Sequence, residues 1–323
     1  MIYTKGKVTH YMEKSNVPDF ETATGTIDYG FTNDYVFRKI LQENNDVLKA
    51  LICSILHMEP DGIKVTVTNP ISLGETFFSK DFILDVRVVL NDGRLIDLEM
   101  QMTDEYNWPD RSISYASRNF DQLKRGEYYI NAKPVHSIGF LNFTLFEDNP
   151  EFNALYQLLN VKTKRLYSEK FSIHVIDLSR IDLATEEDRH YGIDRWAKLF
   201  KTKTWEDLRM ITKNNETMQK AADSLYQLNS DAVARQCAQS RADAAYWETI
   251  KNNKLRYLEE ANSQLTQTID QQASRIDQQA SQIDQQALQI DQQASQIDQQ
   301  TWQINQQASR IAELEAALAK QNK

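Results

Sequence analysis

The chain has 323 residues, 41% of them hydrophobic, with five Trp and fourteen Tyr; this is length for about two domains and apolar material for a real core, which excludes global disorder. Its formal net charge of −9 lacks the basic balance of an obvious nucleic-acid binder, so a function on DNA would need a local basic surface and metal ions. Two cysteines, Cys53 and Cys237, make neither a disulfide framework nor a thiolate metal site; with the polar start MIYTKGKVTHYMEK and no apolar run long enough to span a membrane, the expected location is the cytoplasm.

Residues 1–26 are polar and aperiodic and are expected to form a flexible arm, followed by an α/β domain over 27–192. Thr32 in FTNDYVFRKIL is a good N-cap, and Phe37, Ile40, Leu41, Leu48, Leu51, Ile52 and Ile55 recur at helical spacing, with a break at Glu43–Asp46. IKVTVTNP at 63–70 reads as a strand. Residues 81–90 and 94–102 flank Asn-Asp-Gly at 91–93, a hairpin turn signal. A helix is expected from Asp110 to about Arg125, ended by Gly126, and apolar runs at 136–146 and 170–178 read as buried strands. The order describes a mixed sheet with helices packed on its faces. Residues 193–262 read as helical.

From Ile269 to Ile311 an isoleucine recurs every seven residues, with Ala (Thr301 once) four residues after each up to Ala308. A 3-then-4 spacing is a coiled-coil seam, so 263–323 is expected to form a rod, roughly 60 Å long over its six repeats, that joins copies of the chain. A low-complexity tract that is only partly helical is the plainer alternative.

In the hairpin, Phe82, Leu84, Val86, Val88 and Leu90 share a parity with Ile96, Leu98 and Met100, so both sets face one core. A loop at 91–93 with Gly93 left-handed pairs Leu90 with Arg94, Arg87 with Asp97, and Asp85 with Glu99. Directly opposed Cβ atoms lie roughly 5 Å apart. Arg87 neutralises Asp97, whereas Asp85 and Glu99 repel unless a cation sits between them or one is protonated. Gln101 emerges on the same face. Carboxylates converging from two strands suit a divalent metal; a solvated polar face is the alternative. On the next helix Arg111, Tyr115, Arg118 and Gln122 form one stripe that could set guanidinium groups on DNA phosphates and Gln122 near the site, or could be a solvated face. KTKR at 162–165 and Lys198, Lys201 and Lys203 are further basic clusters. The five histidines show no ligand spacing, and His136 and His174 read as satisfied core residues.

The run from Phe31 to Phe146 resembles the PD-(D/E)XK nuclease family transposases, the Rpn-type recombination-promoting nucleases. The resemblance rests on FTNDYVFRKIL, on LDV with IDLEMQ after the turn, on RSISYASRNFDQLKRGEYY and on KPVHSIGFLNFTLF, in that order. It implies a restriction-endonuclease-like core and a DNA endonuclease dependent on Mg2+ (or Mn2+). The metal acids then fall on Asp85 and Glu99. Gln101 takes the third position, as is common in the family, where the wider superfamily has lysine. Asp34 matches an acid on the first helix, though the helix dipole alone also favours an Asp there. Lys80 matches as well, and is otherwise a strand-edge lysine. A non-catalytic DNA-binding or scaffold protein assembling through its repeat is the rival reading.

Overall fold

The computed structural model describes residues 19–68, 86–121 and 123–321. Asp85, Lys80 and Gln122 lie outside the described residues, as do residues 1–18 of the expected arm. The elements are α1 (Asp34–Glu43), α2 (Asn45–Ile55), β1 (Val65–Val67), β2 (Val86–Leu90), β3 (Leu95–Gln101), α3 (Trp108–Phe120), β4 (Val135–Leu141), β5 (Asn153–Leu159), β6 (Leu166–Asp177), α4 (Glu186–His190), α5 (Ile193–Lys201), α6 (Trp205–Thr212), α7 (Glu216–Ser230) and α8 (Ala232–Gln321). The strands form one six-stranded sheet in the order β1-β2-β3-β4-β6-β5. The β3–β4 and β4–β6 pairs are parallel and the other pairs antiparallel, which makes the sheet mixed.

The hairpin has the register read from its parity. Arg87 pairs with Asp97 and Val88 with Ile96. Gly93 turns at φ +87°, donates its N–H to the Leu90 carbonyl at 2.9 Å, and so closes the loop at 91–93. Such a φ is accessible to glycine at no steric cost. Val86, Val88, Leu90, Ile96, Leu98 and Met100 are all buried in the main core, with Ile138, Phe140 and Ile176 from the neighbouring strands. Helices α1, α2, α5 and α7 cover that face, and Phe37, Phe140 and Phe200 meet edge to face at 5.1 to 5.7 Å between centroids. Alternate residues point the other way, where α3 packs with Trp108, Leu141, Ala154, Ile173 and Val175 in a second, smaller core.

Several boundaries differ from expectation. Asn33, not Thr32, caps α1, its side chain accepting from Val36 N–H at 3.3 Å. The break falls at Asn44, whose amide nitrogen donates to the Ile40 carbonyl. Helix α3 ends at Phe120 rather than near Arg125, because Phe120 seats against Phe171 and Asp121 caps the helix; Gly126 lies in a later turn. Strand β4 stops at Leu141, so 142–146 is loop. Strand β5 was not expected at all. Phe20, inside the stretch expected to be an arm, is buried, and Arg209 donates to its carbonyl at 3.0 Å. His136 Nδ1 and His174 Nε2 lie 3.3 Å apart on adjacent strands, the mutual satisfaction expected of core histidines.

The chain divides into two compact units, one up to Ile250 and one from Lys251. The second unit is helical, and its heptad isoleucines Ile269 to Ile311 are each more than half exposed. No helix among the described residues is long and apolar enough to cross a membrane.

Candidate active site

Three elements converge at the carboxyl end of β3. Glu99 and Gln101 project from β3 on the face away from the main core, and both are buried, at 3% and 7% exposure. Burying a carboxylate costs several kcal/mol unless a counter-charge accompanies it. That charge comes from Arg111 in the first turns of α3, whose Nη2 ion-pairs with Glu99 Oε1. Arg111 Nη1 also lies 3.8 Å from Glu105, and its guanidinium sits 5.5 Å from the Tyr115 ring centroid. Of the expected stripe, Arg111, Tyr115 and Arg118 lie on α3 and Gln122 falls outside the described residues; Arg111 turns inward, and Arg118 is exposed. Gln101 Nε2 donates to the Thr103 carbonyl at 3.1 Å, which leaves Oε1 as the acceptor it offers. Two residues back, Arg87 lies 3.8 Å from Asp97, the neutralising pair read from the register.

Helix α3 is held in place by a close approach that only glycine permits. Gly139 on β4 lies directly opposite Glu99, and a Cβ there would overlap the Trp108 ring. Trp108, 2% exposed, thus packs directly against the backbone of β4 beside the site, and the turn that follows carries Arg111 to Glu99.

The site opens into a cleft of about 710 Å³ lined by Asp34, Gln101, Thr103, Glu105, Arg111 and Arg241, among others. Asn33 ties its far wall together by donating from Nδ2 to the Ala238 carbonyl of α8 at 2.9 Å. One turn on, Arg241 enters the cleft near Asp34. Asp34 is half-buried and accepts from Tyr35 N–H at 2.7 Å. Burial raises its carboxyl above the ordinary value, against the pull of Arg241 and Arg38.

No group of three or more His, Cys, Asp or Glu converges as a metal cage among the described residues. The donors that are present are hard oxygens: the Glu99 and Asp34 carboxylates and the Gln101 amide. Glu99 already takes a cationic group, the Arg111 guanidinium. This donor set fits Mg2+ or Mn2+ and not a thiolate-seeking metal.

A family model described as PD-(D/E)XK nuclease family transposase matches residues 31–254. The chain belongs to that family. No curated protein and no solved structure matches it. A nuclease-type function follows from membership, and PD-(D/E)XK nucleases typically use divalent metals. The family's span takes in every residue lining the cleft from Phe31 onward, Arg241 included.

Several residues of this candidate site escaped the sequence reading. Arg241 lies some two hundred positions from Asp34, in a helical stretch with no motif around it. Glu105 sits in a loop among other acids. Gly139 did carry a signal, since a glycine inside an apolar strand marks a close approach of something to the backbone.

Proposed function

We propose that the chain is a Mg2+-dependent DNA endonuclease, with Mn2+ as a substitute, that hydrolyses phosphodiester bonds. Asp85 and Glu99 would hold the metal, which would supply positive charge at the phosphate and lower the pKa of a water bound there. Gln101 orients the attacking water through Oε1 but brings no charge. Arg111, on leaving Glu99, offers its guanidinium to the phosphate; Tyr115 keeps it at the cleft. Asp34, Lys80 and Gln122 stand as auxiliary groups, and Arg118 contacts the DNA backbone. One observation carries the reading: a buried Glu99, at the position of the family's metal acid, already binds a cation at the mouth of a polar cleft. The heptad isoleucines of α8, exposed in a single chain, pair with those of another copy, so that two active sites can cut two strands. Cytoplasmic DNA is the substrate, in recombination of mobile elements or in defence against foreign DNA.

The same Arg111–Glu99 contact favours one second reading. A guanidinium that permanently takes the place of the metal would leave a catalytically weak DNA-binding scaffold assembled through its coiled coil. Incubation of the purified chain with supercoiled plasmid and Mg2+, beside Asp85→Ala and Glu99→Ala, separates the two. Nicking or linearisation lost in both variants supports the nuclease; no cleavage with Mg2+ or Mn2+ supports the scaffold.

A further inference from the structure

Two segments remote in sequence lie side by side beyond the end of α3. Lys170 Nζ donates to the Ile130 carbonyl at 2.7 Å, and Phe120 meets Phe171 at 6.3 Å between ring centroids. On these segments Tyr128, Tyr129 and Tyr167 are 79%, 90% and 85% exposed. Large aromatic side chains contribute most when buried, so their exposure on two adjoining segments marks an interaction site. Residues 123–133 and 161–170 hold seven lysines and arginines against two glutamates, in a chain whose net charge is −9. Lys124, Arg125, Lys133, Lys162, Lys164 and Arg165 are exposed, and none is in an ion pair among the described residues.

We propose that this surface binds an unpaired strand of DNA, its bases stacked on the tyrosines and its phosphates on the flanking cations. Stacking on aromatic rings tolerates any base, and a cationic track follows the backbone. A protein partner fits less well, because lysine is depleted at the centres of protein interfaces. Helix α3 connects this platform to the cleft. It carries Arg111 at one end and the exposed Arg118 near the other. Its thirteen residues span roughly 20 Å, about six stacked nucleotides. A strand leaving the cleft along α3 would therefore reach Tyr128 and Tyr129. The partner's chemistry rests on the nuclease reading, but the binding does not require cleavage.

Fluorescence anisotropy of the full chain with a labelled 20-nucleotide oligothymidylate, in EDTA, tests this. Tyr128→Ala with Tyr129→Ala should weaken binding about ten-fold or more, whereas the matching Phe pair should hold it within about two-fold, since Phe keeps the stacking face. Changing Lys162, Lys164 and Arg165 to Ser should lower the salt dependence by about two in the log–log slope. The proposal is overturned if the native chain binds no strand, if the Ala pair binds as tightly as the native chain, or if the Ala pair instead lowers the molecular mass in light scattering with strand affinity unchanged. Plasmid cleavage is scored separately. A native chain that binds the strand and cuts nothing contradicts the nuclease reading alone; one that cuts, while its Ala pair binds normally, contradicts this proposal alone.

Discussion

Arg111, at the start of α3, holds the carboxylate of Glu99 on β3, so this buried acid carries its own counter-cation. The pair explains how Glu99 stays buried as a charged group. Removal of one member of a buried pair typically costs about 3–5 kcal/mol. Arg111→Ala is therefore expected to lower the melting temperature in EDTA, and Mn2+ should restore part of the loss by taking the vacated place. Thermal unfolding with and without Mn2+ checks this; a variant as stable as the native chain and blind to Mn2+ would separate Glu99 from any metal.

Gly139 predicts a positional effect. Gly139→Ala forces the Trp108 ring off β4, and overpacking of this kind costs typically 1–3 kcal/mol. Because Trp108 sets the start of α3, the displacement also shifts Arg111 relative to Glu99. Urea unfolding should show the loss, and plasmid cleavage should fall by more than the unfolded fraction accounts for. Native activity in a measurably destabilised Gly139→Ala chain would detach α3 placement from function.

His136 and His174 predict a pH dependence. Burial lowers His136 to about 4, aided by Arg94, and lowers His174 to about 3, aided by His136 and His57. Both folded values lie below the ordinary 6.5, so the unfolded chain binds more protons in between. The stabilisation is complete above pH 6.5 and is lost as pH falls toward 4 and then 3, by up to about 1.4 kcal/mol per pH unit for each proton. His174→Gln should flatten the slope of stability against pH between 6.5 and 4. An unchanged slope would contradict the role of the pair.

The α/β core was legible where period and turn chemistry agreed. Parity across 86–100 together with Gly93 yielded the register, and with it the Arg87–Asp97 pair. The break at Asn44 showed as a lapse in helical spacing. Strand β5 was not legible, because an edge strand exposes both faces: Leu155, Leu158 and Leu159 are apolar and exposed, which erases the alternation of a half-buried strand. In the site, Glu99 and Gln101 stood in a motif. The inward turn of Arg111 and the entry of Arg241 depend on packing between distant elements, and local spacing holds no trace of either.

The tail predicts an assembly effect. Deleting residues 263–323 removes the exposed heptad isoleucines and should lower the mass measured by light scattering to that of a smaller assembly. An unchanged number of copies would remove the coiled-coil proposal, and the DNA-cutting unit would then have to be understood as a single chain.

The most direct test compares native, Asp85→Asn and Glu99→Gln chains in single-turnover cleavage of supercoiled plasmid with Mg2+. These substitutions keep side-chain size and remove only the charge proposed to hold the metal. The expected result is cleavage by the native chain and a loss of about 100-fold or more in each variant, a difference of roughly 2.7 kcal/mol in barrier. Equal rates in all three, or no cleavage by the native chain in Mg2+ or Mn2+, would contradict a metal-dependent nuclease built on Glu99.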